Sequence, residues 1–294
     1  MKFLQTKKTL ISLFLLFSIL LVPFLVSFDY APSNSPAPAF PATDKCIFSM
    51  EELCEYFKCY VMAEYDNVTE INAYEIGGGA YITSRCTNMD QTRLNGVYNA
   101  QYGTSFWGTC AEVAMAQILY HFTTEQYQDH SFIHAMNIAR GLNYFPASNI
   151  GGTEGHGTFG ESEKEILTDG FSFYNTSYVG NLDKVNLMNT IKSEIDAGRP
   201  VLTYVARDNV SGKTGRVMHD VVAVGYTMIH VPYKRLVRQF GFFGSWITKD
   251  YAATFDVLVV NNGWVDGNNT SDSHFIYRYY PATLLDNSYI VKVR

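Results

Sequence analysis

The chain has 294 residues, 47% hydrophobic and 17% charged, with a formal net charge of −6. That is globular composition, enough for one large domain or two packed lobes, and it excludes a generally disordered chain. Residues 1–39 carry Lys2, Lys7 and Lys8 against Asp29, which leaves −8 on the remainder; an acidic body without a basic run excludes nucleic acid as a partner and docking on anionic lipid by a charged face.

Leu10 to Phe28 is almost wholly apolar and follows the three lysines. Residues 1–28 are expected to be a signal peptide, with Ala37-Pro38-Ala39 as a cleavage site, or an N-terminal membrane anchor. Either one puts the following domain on the outer side of the membrane or in the medium. Residues 29–44 form a Pro/Ser/Ala linker. Residues 45–95 are expected to be a propeptide or an N-terminal extension, with a helix from Met50 to Tyr60. Ala73 to Thr83 suggests two short strands about a glycine turn.

Five cysteines stand at 46, 54, 59, 86 and 110. An odd number in an exported chain leaves at least one thiol unpaired. Cys110 is the natural one, since the other four lie upstream; Cys46, Cys54, Cys59 and Cys86 allow three pairings or none. No spacing here suits a metal site.

The most informative stretch is Asn99 to Phe122. Tyr102 to Gly108 is small, aromatic and turn-forming. Ala111, Val113, Ala114, Met115, Ile118, Leu119 and Phe122 then recur at helical spacing. Cys110 stands where loop becomes helix, with Thr109 as N-cap. Helix starts offer unpaired N–H groups and a positive dipole end, so the thiol pKa is expected to fall. Packing alone also puts cysteines at the head of core helices.

Further along, Ser131 to Arg140 reads as a short helix. Asn149 to Gly160 is a glycine-rich loop without phosphate-loop spacing. Glu161 to Leu167 reads as a helical turn or two. Leu182 to Ala197 reads as a helix stopped by Gly198 and Pro200. Val201 to Val205, Val221 to Tyr226, Phe255 to Val260, Phe275 to Tyr280 and Tyr289 to Val293 read as strands. A helical first half before a β-rich second half is an α+β pattern.

Among the seven histidines, His219 opens HDVVAVGY, a strand apolar on both faces and so central to a sheet. His121 sits about three turns down the Cys110 helix, too far to reach the thiol. His156 is a rival base on the glycine-rich loop. Val259-Val260 runs into Asn261-Asn262-Gly263-Trp264, where an amide oxygen suits the task of accepting an imidazole N–H and fixing its tautomer. The plainer reading of that segment is an Asn-Gly turn.

Taken together, Gly108-Thr109-Cys110-Ala111 opening a helix, His219 opening HDVVAVGY and Asn262-Gly263-Trp264 after a strand resemble the papain-like cysteine peptidase superfamily, whose order along the chain is Cys, His, Asn. The look of Cys110-Ala111 and its alanines is similar to the bacterial streptopain-like and bacteriocin-leader branch. The resemblance covers about Gln101 to Val293 and implies a papain-like two-lobe α+β domain over residues 96–294. In it, an N-terminal helical lobe with the Cys helix packs on a C-terminal antiparallel β lobe.

It further implies Cys110 as nucleophile, His219 as its base, Asn262 as the residue orienting His219 and no cofactor. The family's oxyanion glutamine lies six residues before the cysteine, where this chain has Thr104; Gln101 is the nearest candidate. Asp220 is expected to point to the opposite strand face and to take no part. The expected activity is hydrolysis of peptide bonds in a protein or peptide substrate by a monomer. A cell-wall amidase or acyl transferase using the same triad, and an inactive papain-like binding module at the cell surface, are the alternatives.

Overall fold

The computed structural model describes residues 48–82, 85–86, 88–142, 144, 147–148, 161–170, 172–173, 175–180, 182–208, 216–239, 244–263, 278–285 and 289–293. The apolar run 10–28, the linker, Cys46, the loop 149–160 and Trp264 lie outside the described residues. No helix among the described residues is long and apolar enough to cross a membrane.

Helices are α1 (Met50–Glu64), α2 (Gln91–Tyr102), α3 (Cys110–Phe122), α4 (Gln128–Gly141), α5 (Glu161–Glu165) and α6 (Lys184–Asp196). Strands are β1 (Val68–Ile71), β2 (Tyr74–Glu75), β3 (Phe106–Gly108), β4 (Ala147–Ser148), β5 (Ser177–Val179), β6 (Val201–Asp208), β7 (Arg216–Arg238), β8 (Trp246–Asn261), β9 (Arg278–Pro281) and β10 (Ile290–Lys292). The chain is a mixed helix and antiparallel-sheet protein, as the α+β reading expects. It divides into two compact units.

The larger unit holds the described parts of 39–57, 73–230 and 254–294. Its strands run in the order β5-β10-β6-β7-β8-β9, and β2 pairs with β7. β6 and β7 are in continuous register from Val201↔Ala223 to Asp208↔Arg216, which sets Val205 against His219 and Tyr204 against Asp220. Val221 to Val224 and Val257 to Val260 are fully buried, so these strand segments are covered on both faces. Every residue of α3 from Ala111 to Leu119 is buried. Full burial of each large apolar side chain stabilises the fold by about 1.5–3 kcal/mol.

Local signals set the element ends. In α6, the Asp183 side chain accepts from Val185 and Asn186 N–H. Its Leu187, Met188, Ile191 and Ile195 are buried, and Gly198 at φ +73 turns the chain. α2 is a helix that the sequence reading does not include; the turn-forming stretch expected from Tyr102 begins at its last residue. Asp90 caps it, and Gly103 at φ +63 ends it. Only Gln91, Leu94 and Tyr98 of α2 are buried. So thin a stripe in a polar sequence hides the period. The described part of the stretch 73–83, residues 73–82, holds one short strand and a bridge from Tyr81 to Gly225 where two strands are expected. The segment expected as a propeptide or extension supplies Ile82, Cys86, Met89 and Leu94 to the main core.

The smaller unit holds the described parts of 58–72 and 231–253. β1 pairs with the distal part of β7 through Val68↔Arg235, Glu70↔Lys234 and Ile71↔Tyr233, with a bulge between Val68 and Glu70. Tyr65, Tyr233 and Tyr251 stack with centroids 5.4 and 5.6 Å apart, and the Arg235 guanidinium lies over Tyr65 and Tyr251. β7 and β8 therefore run far beyond the apolar segments that announce them. In distal β7 burial alternates, with Val231 and Tyr233 buried, whereas distal β8 is exposed from Thr248 to Ala252.

Candidate active site

Cys110 is the first residue of α3. Thr109 occupies the N-cap but makes no side-chain cap bond; its hydroxyl donates to Asn95 Oδ1 at 2.5 Å. The Cys110 thiol donates to Asp220 Oδ2 at 3.6 Å. Some of the residue's surface is open, but packing around the sulfur strips a charge there of its hydration. Burial first, then the Asp220 charge, push the thiol well above its ordinary value, while a hydrogen bond from the Asp220 backbone works the other way. Glu112 and Glu163, both fully buried, act in the same direction. The expected fall in pKa at the helix start is thus reversed, because low-dielectric surroundings and three carboxyl groups outweigh the helix dipole.

Asp220 itself is buried at 3% exposure. Its Oδ1 accepts from the Tyr289 hydroxyl at 2.7 Å, and Glu163 also bonds to it. Burial raises its carboxyl from 3.8 to about 7, against the hydrogen bonds that favour the charge. Tyr289 is fixed in turn. Its ring stacks on Tyr204 at 5.4 Å, and its carbonyl accepts from Thr203 Oγ1 at 2.8 Å. Asp220, expected to take no part, is the hydrogen-bond partner of Cys110. Strand alternation separates the faces of His219 and Asp220 but does not say which face meets the head of α3.

His219 is 3% exposed. Its Nε2 lies 2.5 Å from the main-chain carbonyl of Asn262. A carbonyl only accepts, so Nε2 carries the proton and Nδ1 holds the lone pair of the neutral ring. Burial lowers His219 from 6.5 to about 4, while the Asn262 carbonyl works the other way. The Asn262 carboxamide has a different task. Its Oδ1 accepts from Asn88 Nδ2 at 3.0 Å, and Asn88 Oδ1 accepts from Gly263 N–H at 2.8 Å. Asn88 thus brackets the Asn262-Gly263 turn, and no pattern in the sequence points to it.

The turn is built for glycine. Gly263 sits at φ +74, and a Cβ there would meet Val113 Cγ1 at 3.3 Å. Its carbonyl accepts from Gln91 N–H at 2.7 Å, which ties it to the start of α2. Asn261 is fully buried and donates to the Cys86 carbonyl at 3.1 Å. Cys86 is an unbridged thiol, 1% exposed, pushed up to about 12 by burial. It therefore takes no part in any of the disulfide pairings that the sequence leaves open. Gln101 lies exposed in the last turn of α2. Among the described residues, no group of three or more His, Cys, Asp or Glu side chains is arranged to hold a metal ion.

The fold and site together define a mixed α/antiparallel-β protein. Its helix-head thiol, buried carboxyl pair and buried histidine come from separated parts of the chain. No family model matches the chain, and no curated protein does. Among solved structures it is similar to the active wild-type interpain A cysteine protease of Prevotella intermedia. The identity is 15% over 73% of this chain and 93% of that chain, with a TM-score of 0.42.

Proposed function

We propose that this protein is an exported cysteine-type peptidase of papain-like, two-lobed architecture. The observation that carries the reading is the His219–Asn262 bond. It leaves Nδ1 as the basic nitrogen of a buried ring, on the strand whose next residue holds the Cys110 thiol. The order Cys110, His219, Asn262 along the chain supports it.

Cys110 is the nucleophile that attacks a peptide carbonyl. His219 Nδ1 takes the thiol proton and later gives it to the leaving amine. The Asn262 carbonyl holds the ring through Nε2. The Cys110 main-chain N–H, unpaired within the helix, is one oxyanion donor, with Gln101 proposed as the second. Water then releases the acyl group. With its value held at about 4, His219 is neutral at pH 7 and has a nitrogen able to accept a proton.

Hydrolysis of unfolded protein and of a peptide library tests the reading, with peptidoglycan run in parallel. Peptide products from the parent protein and none from Cys110→Ala are expected. Full hydrolysis by Cys110→Ala, or products from peptidoglycan alone, would overturn it. Fusing residues 1–44 to a reporter active only outside the cytoplasm tests export, and an inactive reporter removes that part.

A further inference from the structure

We propose that Asp220 is the residue that keeps Cys110 in its thiol form in the resting protein, by accepting the Sγ–H bond and opposing a second negative charge beside it. This assignment rests on Cys110 being the nucleophile of the proposed peptidase. It adds to the triad a residue that controls when the nucleophile is charged.

The geometry is specific. Asp220 Oδ2 takes the thiol, and Oδ1 takes the Tyr289 hydroxyl. Glu163, on α5, bonds to the same carboxyl. Two carboxyl groups in direct contact away from water share a proton rather than both ionising. Tyr289 is locked by its stack on Tyr204, directly opposite Asp220 in the β6–β7 register. Swinging the carboxylate away from the sulfur breaks its bond to a Tyr289 that is itself stacked on Tyr204. Among the described residues, the titratable groups acting on Cys110 and Asp220 are Glu112 from α3, Glu163 from α5 and Tyr289 ahead of β10, with His219 next to Asp220 on β7.

Charging the sulfur while Asp220 is charged sets two anions within hydrogen-bonding distance in a buried site, a strongly unfavourable state. Below about pH 7 Asp220 holds its own proton, and that opposition is gone. The two groups titrate as a pair. Once Asp220 ionises, one negative charge is shared between oxygen and sulfur, and the thiolate fraction stops rising with pH until the second proton leaves.

The test is the rate at which iodoacetamide alkylates Cys110 in the full-length protein, followed by mass spectrometry of the Cys110 peptide from pH 5 to 10. The parent protein is expected to give a profile that flattens above about pH 7. Asp220→Asn keeps the shape and removes the charge. It is expected to raise the pH 7 rate by about tenfold or more, to abolish the flattening and to shift the midpoint down by at least about one unit.

Tyr289→Phe keeps the carboxyl and removes one donor to its charged form, so it is expected to speed alkylation at pH 7 by a smaller factor. It provides the test should Asp220→Asn fail to fold. Profiles for both variants that superimpose on the parent, or midpoints that rise, would overturn the assignment. Peptide hydrolysis is scored separately. Normal hydrolysis with unchanged alkylation removes the Asp220 role alone. The expected alkylation without hydrolysis removes the peptidase reading and leaves the control of Cys110 by Asp220 standing.

Discussion

His219 Nε2 meets the main-chain carbonyl of Asn262, not its carboxamide, at 2.5 Å. The acceptor that fixes the ring is therefore present whatever side chain stands at 262. Asn262→Ala is expected to retain most of the hydrolytic rate, whereas His219→Ala loses a factor of about 10²–10⁴ as the general base disappears. Steady-state kinetics on one peptide substrate compare the two. Equal losses would mean that the carboxamide, rather than the carbonyl, sets the ring.

Asn88 is expected to matter for stability in proportion to the groups it satisfies. Asn88→Ala leaves Asn262 Oδ1 without its Asn88 donor and Gly263 N–H without its acceptor. The expected cost is about 1–3 kcal/mol, read as a lower urea midpoint at unchanged slope. A midpoint equal to the parent's would show that the bracket contributes nothing.

Gly263→Ala combines a left-handed backbone with a contact of 3.3 Å to Val113 Cγ1. The backbone conformation alone costs a non-glycine residue about 1–2 kcal/mol. The variant is expected to unfold at a lower denaturant concentration than the parent and to relax on Val113→Ala. Parent-like stability would argue against the turn geometry described for Gly263.

His219 and Asp220 give opposite pH dependences. His219 is held at about 4 against 6.5, so its contribution to stability is complete above 6.5 and is lost as pH falls towards 4. Asp220 is held at about 7 against 3.8, so its contribution is complete below 3.8 and is lost as pH rises through about 7. Between pH 4 and 6.5 the two slopes offset in the parent protein. Denaturation at a series of pH values is expected to show stability rising with pH in Asp220→Asn and falling with pH in His219→Gln. Slopes of the same sign in the two variants would contradict the assignment of both groups.

A chain that begins at Gly96 would lack Ile82, Cys86, Met89 and Leu94, all core residues. Each buried apolar side chain lost costs about 1.5–3 kcal/mol. Such a chain is expected to bind a hydrophobic dye and to give no near-ultraviolet circular dichroism. A sharp cooperative transition in the shortened chain would show that residues 45–95 are dispensable to the fold.

Sequence reasoning works here where one dimension carries the signal. The helix of Cys110 and the strand of His219 announce themselves by dense apolar runs, and the α+β pattern follows from strands after helices. Asp220, Glu163, Tyr289 and Asn88 are invisible by the same logic. Each gains its role from a partner many positions away, and each reads locally as an ordinary polar residue. Buried Glu112 and Gln117 on α3 look like the solvated face of that helix. The helix over 91–102 goes unread because only Gln91, Leu94 and Tyr98 of it are buried, too few to show a period.

Asn262-Gly263 is also the dipeptide most prone to spontaneous deamidation, in which the glycine nitrogen attacks the preceding side-chain carbonyl and closes a succinimide ring. In the folded chain that nitrogen donates to Asn88 and that carbonyl oxygen accepts from it. The attacking atom and its target are each held by a third residue. Chemical ageing at this turn is thereby tied to unfolding, and accumulated isoaspartate at 262 would record how long a sample has spent open.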